Sequence, residues 1–295
     1  MNASVIIPNF NGEGLLAKNL PSVIKAQEFP ANGICEIIVV DDGSTDGSVR
    51  LIKEKFPQIK LVKHTKNRGF PAAVNTGART ATSELLVLLN SDVVPSPDFL
   101  KAAKRHFANP KVFAVSFHER GYGWAKGAFV DGYVALGMGK EKDTATLSFY
   151  VSGGSGVFKR SLWMRLGGMD EKLFSPFYWE DIDICFGAAK RGWRILWEPE
   201  SRVTHQHEST IGRLSPRRVA RIRERNQLLF IWKNITSANL IRKHIAGLFK
   251  RLVTHPGYIR VIVMALSKLG PALAARRKEI KESRVSDEAI LAKFN

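Results

Sequence analysis

Apolar residues in the first third of the chain fall into short continuous runs separated by helical stripes. Residues 4–8 (SVIIP) form a β-branched run that ends in the polar turn Asn9-Phe10-Asn11-Gly12. Leu15, Leu16, Leu20, Val23 and Ile24 then recur at helical spacing as far as Gln27. Residues 36–40 (EIIVV) show no alternation, as expected for a strand buried on both faces of a parallel sheet. That run closes in Asp41-Asp42-Gly43-Ser44-Thr45-Asp46, where Ser44 or Thr45 is placed to cap a helix with Val49, Ile52 and Phe56 on its inner side. Residues 59–63 read as a third strand and 67–80 as a turn and helix. Residues 84–89 (ELLVLL) are a fourth strand, ending in Asn90-Ser91-Asp92. Alternating strands and helices predict an α/β fold with a mostly parallel central sheet flanked by helices. Ligands of such sheets gather beyond the carboxyl ends of the strands, where both acidic turns fall.

Further along, residues 112–117 predict a strand, 149–160 a strand and 162–169 a helix, while the pattern leaves 121–142 unassigned. After Glu198 the character changes: 216–234, 238–254 and 257–277 read as basic helices. This places a boundary near residue 212, with an α/β domain over 1–212 and a basic helical extension over 213–295.

Charge sharpens that division. The chain has 295 residues and a net charge of +18, of which residues 211–295 supply +14, from 19 Lys and Arg against 5 Asp and Glu. The imbalance suits an anionic partner, either nucleic acid or acidic lipid. Leu240, Ile241, Ile245, Leu248, Phe249 and Leu252 form one apolar face in this region, with Arg242, Lys243, Lys250 and Arg251 around it. Such a helix either packs on the α/β domain or lies in a membrane interface, here through residues 213–281. The N-terminus MNASVIIPNF has neither a basic leader nor a long apolar run, and the two cysteines give no disulfide framework. A cytoplasmic location is the expectation, peripheral on the inner face of the cytoplasmic membrane if the tail docks there.

Four clusters carry candidate chemistry. Asp41-Asp42 puts two carboxylates where a dinucleotide-binding turn would put glycines, which repels phosphate but suits the N–H of a base or the hydroxyls of a ribose. The plain alternative is a capping Asx turn. Asp92 can give one carboxylate to Mg2+ or Mn2+, whose shell a diphosphate would complete; a strand-ending turn before Pro95 is the bland reading. Tyr178-Trp179-Glu180-Asp181-Ile182-Asp183 holds three carboxylates in four positions. If a helix starts near Asp181, one of them can face a cleft as a general base while the others cap the helix or pair with Arg. Val203-Thr204-His205-Gln206-His207 places alternate histidines on one face of a strand, so His205 or His207 could bind metal.

Taken in order, SVIIPNFNG, EIIVVDDGSTDGS, NRGFPAAVNTGA, LLVLLNSDVVPSPDFL, SGGSGVFKRSLWMRLGGMDEKLF and YWEDIDICFGAAKRGWRILWEPESRVTHQH resemble the family 2 inverting glycosyltransferases of the GT-A fold, in particular the bacterial rhamnosyltransferase-like branch that builds cell-surface polysaccharides. The resemblance runs from residue 4 to about residue 210. It implies a nucleotide-diphospho-sugar donor, UDP- or dTDP-linked, and a saccharide or polyprenyl-linked acceptor. Pro8 and Asn9 would line the nucleotide pocket, Asp42 would contact the base with Asp41 supporting the turn, and Asn67 and Gly69 would lie at the nucleotide edge. Asp92 would end the metal-binding DxD element, with His205 as the metal ligand after the last sheet strand. Ser152, Gly153 and Gly154 would hold donor and acceptor near the anomeric carbon, and Asp181, preceded by Glu180, would be the catalytic base. The first Asp of DxD is Asn90 here, so Asn90 and Ser91 are expected to orient ribose or Asp92 rather than to carry charge. The rival readings are a metal-dependent nucleotidyltransferase, which shares the strand-end acids, and a nucleic-acid-binding protein. The second is opposed by acids clustered where phosphate would bind, so no nucleic-acid partner is expected.

Overall fold

The computed structural model describes residues 1–205 and 215–294; the expected boundary near 212 and the alternative ligand His207 lie outside the described residues. The first third alternates as expected: Ala3–Asn9 (β1), Glu13–Gln27 (α1), Ile34–Asp41 (β2), Ser48–Lys55 (α2), Lys60–Lys63 (β3), Phe70–Thr80 (α3) and Leu85–Leu89 (β4). There follow Val93–Pro95 (β5), Leu100–Arg105 (α4), Val112–Glu119 (β6), Ala125–Val130 (β7), Tyr133–Met138 (β8), Thr146–Leu147 (β9), Ser155–Lys159 (β10), Arg160–Leu166 (α5), Glu171–Phe174 (α6), Glu180–Lys190 (α7) and Arg194–His205 (β11). Five helices close the chain: Pro216–Asn234 (α8), Ala238–Thr254 (α9), Ile259–Leu266 (α10), Leu269–Glu282 (α11) and Asp287–Leu291 (α12).

The main sheet has the order β3-β2-β1-β4-β10-β6-β11-β5, with β9 added on β11. Strands β3, β2, β1 and β4 are parallel, and so are β6 and β11. Between these blocks β10 runs antiparallel to both neighbours, pairing Ser155 with Leu89. Its N-terminal loop therefore lies at the same rim as the carboxyl ends of β1, β2, β4, β6 and β11. All five residues of β4 are buried, and so are Ile37–Val40 within β2, which accounts for their unbroken apolar runs. One face of the sheet packs on α1, α2 and α4 through Leu16, Leu20, Leu51 and Leu100. The other packs on α3, α5 and α7 through Val74, Ala78, Trp163 and Ile184.

Two expectations need correction, and one unassigned stretch is resolved. Helix α2 starts at Ser48, not after Ser44 or Thr45, because the Asp46 carboxylate takes the Ser48 N–H at 3.0 Å; the Ser44 hydroxyl instead accepts from Asn11 N at 2.8 Å. The unassigned stretch is the hairpin β7–β8, turned by Asp131 and Gly132 with φ of 51° and 83°. An Asp-Gly pair flanked by strands is the sequence sign of such a turn. The last basic helix is two helices, α10 and α11, bent by 69° at a break. Pro271 falls in the first turn of α11, where its missing N–H costs no helical hydrogen bond.

The closing helices share a core with α6, α7 and the hairpin β7–β8. Leu228, Leu229, Phe230 and Ile231 of α8 pack with Phe149, Phe174, Trp179, Ile182 and Phe186. The apolar row foreseen on α9 is divided: Leu240 is buried, Ile241, Leu248 and Leu252 are half-buried against this core, and Ile245 and Phe249 face solvent. No single helix among the described residues is long and apolar enough to cross a membrane.

Close packing of α3 on the sheet yields a prediction. A Cβ on Gly77 would meet Ile6 Cγ2 at 2.3 Å, and Ile6 is fully buried. Gly77→Ala is expected to destabilise the fold by about 1–3 kcal/mol through overpacking. Urea unfolding checks this; an unchanged midpoint would refute the packing argument.

Candidate active site

The rim is assembled from backbone turns whose polar side chains hold one another. At the end of β1, Asn9 Nδ2 donates to Asp41 Oδ1 at 3.1 Å, and Asp41 Oδ2 accepts from Ser44 N at 3.1 Å. Asp42 accepts from Arg68 N at 2.9 Å, Gly69 N at 2.8 Å and the His64 ring at 2.6 Å. Both Asp42 oxygens are therefore met by the protein, and with three donors on about four acceptor sites the carboxylate keeps room for one more N–H. Asn9 Oδ1 is buried without a partner, which leaves it as an acceptor beside the turn. Pro8 is half-buried behind Asn9, and Asn67 is exposed beside Arg68. Gly69 has φ of +92°, and a Cβ there would meet the Pro176 backbone at 2.9 Å; this is why the chain needs glycine where loop 67–69 touches the loop before α7.

Asn90, Ser91 and Asp92 bridge β4 to β5. Asn90 N donates to Gly154 O at 2.9 Å, and Ser91 O accepts from Asn19 Nδ2 at 2.7 Å. A Cβ on Gly154 would overlap the Asn90 amide at 2.2 Å, so the 152–154 loop lies directly on the amide that replaces the first Asp of the motif. Asp92 is 3% exposed; its Oδ1 lies 3.1 Å from His205 Nε2 and its Oδ2 is buried without a partner. Glu119 stands 3.8 Å from the other nitrogen of His205. Burial opposes the imidazolium, yet the Asp92 hydrogen bond and the charges of Asp92 and Glu119 outweigh it and raise the His205 pKa. The described residues contain no group of three or more His, Cys, Asp or Glu able to hold a metal by themselves. The buried free oxygen of Asp92 beside an imidazole nevertheless fits one divalent cation that takes the rest of its shell from a ligand.

Helix α7 opens with the three carboxyls, and the structure gives each a different environment. Asp181 is half-buried, and its Oδ2 accepts from Gly153 N at 3.1 Å. Burial raises its pKa, which hydrogen bonds from the backbone only partly offset. Glu180 is 6% exposed with Oε2 unpartnered, and burial pushes its pKa well above the usual carboxylate range. Asp183 pairs with Lys233 Nζ at 2.6 Å and Asn234 Nδ2 at 2.7 Å, not with an arginine as the sequence suggested. Trp179, the residue before the helix, provides no side-chain cap.

The sequence reading missed what supports this helix. Tyr178 and Trp179 adopt left-handed φ of 74° and 76°, a strained backbone for bulky residues. Asn226 Nδ2 of α8 donates to the carbonyls of Phe177 at 2.9 Å and Tyr178 at 2.8 Å, and Arg225 Nη2 donates to Ser175 O at 2.8 Å. At the far end of α7, Lys190 pairs with Asp287 at 2.9 Å, and Arg191 binds Glu279 and Glu282. Arg225 and Lys233, both counted in the basic excess of the tail, are therefore committed inside the molecule. Glu119, His64 and Asn226 lie outside every motif, and only tertiary contact reveals them.

The site residues foreseen from sequence thus meet along one rim. Asp41 and Asp42 sit at one end. Asn90 is bonded to Gly154, Gly153 to Asp181, and Asp92 to His205. The sequence profile for glycosyl transferase family 2 matches residues 4–166, more than half of the chain. The chain belongs to glycosyl transferase family 2. It is 30% identical over 186 residues to the pre-mycofactocin glycosyltransferase of Mycobacterium tuberculosis, covering 59% of this chain and 38% of that relative. The chain thus spans well under half the length of that curated relative. It is 23% identical over 235 residues to the N-acetylglucosaminyl-diphospho-decaprenol L-rhamnosyltransferase of the same organism, covering 67% of this chain and 74% of that one. The solved structure of GalNAc-T7 with UDP, GalNAc and Mn2+ aligns with a TM-score of 0.65 at 18% identity, over 88% of this chain and 57% of that chain. At that identity the likeness speaks for the fold, which is GT-A.

The buried pair behind the site gives the next prediction. Burial opposes a charged Lys233, but Asp183 and Asp170 outweigh it and raise its pKa. Lys233→Met leaves Asp183 buried without its cation and is expected to cost about 3–5 kcal/mol. Lys250→Met, at an exposed position, is expected to change stability by about 0.5 kcal/mol or less. Denaturant unfolding of both compares them; equal effects would contradict the pairing.

Proposed function

We propose that this glycosyl transferase family 2 chain moves a sugar from a UDP- or dTDP-linked donor to a hydroxyl of a saccharide or polyprenyl-linked acceptor, with inversion, in the building of a cell-surface glycan. The observation that carries the reading is the Asp181 carboxylate held by Gly153, one residue from the glycine bonded to the Asn90–Asp92 turn. Adjacent residues of one loop thus touch the carboxylate read as the base and the turn read as the phosphate side, which supports the reading.

In the proposed reaction the acceptor O–H gives its proton to Asp181 as its oxygen bonds to the anomeric carbon. The bond from that carbon to the donor's diphosphate breaks, and the electron pair leaves with the diphosphate. A divalent cation, Mg2+ or Mn2+, bound by Asp92 and His205 would supply Lewis-acid stabilisation of that leaving group. The raised pKa of Asp181 suits a base, which transfers protons best when its pKa approaches the working pH. Asp41, Asp42 and Asn9, with Asn67 and Gly69, are assigned to the nucleotide, Asn90 and Ser91 to its ribose, and Ser152, Gly153 and Gly154 to the sugar. Glu180 is assigned a supporting role as a neutral acid, since its free oxygen is buried. The relative named N-acetylglucosaminyl-diphospho-decaprenol L-rhamnosyltransferase supports a lipid-linked acceptor; a cytoplasmic place, peripheral on the inner face of the cytoplasmic membrane, is part of the same proposal.

A panel of nucleotide-sugars with Mn2+ or Mg2+, read by thermal shift, tests the donor. One nucleotide class is expected to raise Tm selectively, and no stabilisation by any donor would overturn the proposal. Asp181→Asn is expected to lower kcat by about 10²–10⁴-fold with the fold retained. Glu180→Gln, which mimics the neutral acid, is expected to keep most of the activity; equal losses would exchange or merge the two roles. The base must be ionised, so kcat is expected to fall as pH drops through the Asp181 pKa. Because that pKa is raised, the fall begins at a higher pH than an exposed aspartate would give, and a kcat–pH profile checks it.

A further inference from the structure

Helices α9 and α10 turn apolar side chains to solvent in regular rows. Ile245, Phe249 and Val253 recur every four residues along α9, between 62% and 70% exposed. Ile259, Val263 and Leu266 follow on α10, between 48% and 59% exposed. These are not ends of a loosely placed segment. The core side of α9 is occupied: Leu240 and His244 are buried, and His244 Nδ1 meets Gly132 O of the β7–β8 turn at 2.8 Å. Arg251 binds Glu224 at 2.7 Å and lies 4.3 Å over the Tyr258 ring. The exposed rows therefore remain after the helix has found its place in the fold.

Charge identifies what would cover them. Residues 238–268 carry Arg242, Lys243, Lys250, Arg251, Arg260 and Lys268 and no Asp or Glu at all, although the whole chain has 27 acids in 295 residues. Arg242, Lys243, Lys250 and Arg260 are exposed. At about 100° per residue, Arg242 falls on the same side of α9 as Phe249 and Val253, with Lys250 and Lys243 on the flank beyond. An apolar stripe bordered by cations is the pattern of a helix lying in the headgroup region of an anionic bilayer. A second copy of the chain fits poorly, since a two-fold interface would set these cations against themselves. Nucleic acid would match the cations but offers no partner for the Ile, Phe and Val row.

We propose that the exposed faces of α9 and α10 dock this protein on an anionic phospholipid bilayer, with Ile245, Phe249 and Val253 entering the acyl boundary and the neighbouring Arg and Lys side chains holding the headgroups. The inference rests on the reading of a lipid-linked acceptor for its use, but its test does not depend on catalysis. The full chain is sedimented with vesicles of phosphatidylcholine alone and of phosphatidylcholine with phosphatidylglycerol, at low and high salt. The expected result is sedimentation with the anionic vesicles at low salt, lost with the neutral ones. The triple variant Ile245→Ser, Phe249→Ser, Val253→Ser is expected to bind on the order of tenfold more weakly while keeping the wild-type Tm and the wild-type rate on a water-soluble acceptor. Absence of sedimentation, or equal sedimentation of the variant, overturns the proposal. So does a wild-type dimer in light scattering that the triple variant turns into a monomer. Loss of sugar transfer with vesicle binding intact would count against the proposed reaction alone, and the reverse against the docking face alone.

Discussion

Strand β10 runs against both of its neighbours, and the rest of the site depends on that reversal. The parallel strands deliver Asn9, Asp41, Asp92 and His205 to one rim by their carboxyl ends. A further parallel strand between β4 and β6 would begin at the opposite edge and leave a gap there. The antiparallel pairing of Ser155 with Leu89 instead starts β10 at that rim. The loop 152–154 then fills the gap, with Gly154 against Asn90 and Gly153 N–H on Asp181. Two successive glycines meet two different elements, and a side chain on Gly154 would occupy the space of the Asn90 amide.

The helix that brings Asp181 to this loop is held from behind. Its approach passes through two left-handed residues, Tyr178 and Trp179, and such a backbone persists only when its surroundings fix it. Asn226 fixes the carbonyls before the turn, and Lys233 with Asn234 fixes Asp183 one turn inside the helix. Both contacts come from α8. The closing helices are thus a third layer of the catalytic unit, sharing its core through Phe174, Trp179, Phe186 and Phe230.

Most of the sheet was legible because fully buried strands leave unbroken apolar runs, as in residues 36–40 and 84–89. The rim residues were legible for a related reason: a polar turn after such a run has one place to be, beyond the strand end. Local competition was not legible. Ser44 looked like a helix cap, but its hydroxyl is used by Asn11, and Asp46 takes the Ser48 N–H that opens α2. Partners distant in sequence were equally hidden. His64 on Asp42 and Glu119 near His205 are single residues in unremarkable strands or turns, and no spacing rule connects them to the acids they meet.

The C-terminal charge shows how a sum misleads until burial divides it. From residue 211 onward the excess of +14 looked like one basic surface. Lys233 is instead committed to Asp183 and Asp170, Arg251 to Glu224, and Arg276 to the backbone carbonyls of Trp232 and Ile235. Those cations hold α7, α8 and α9 together, and desolvation makes the buried Lys233–Asp183 pair costly to break. Arg242, Lys243, Lys250 and Arg260 remain exposed. They stand in the acid-free segment that also presents Ile245, Phe249 and Val253 to solvent. Exposed cations remain on α8 and α11 as well, but only along α9 and α10 do they stand in an acid-free stretch beside a regular row of exposed apolar side chains, although neither property requires the other.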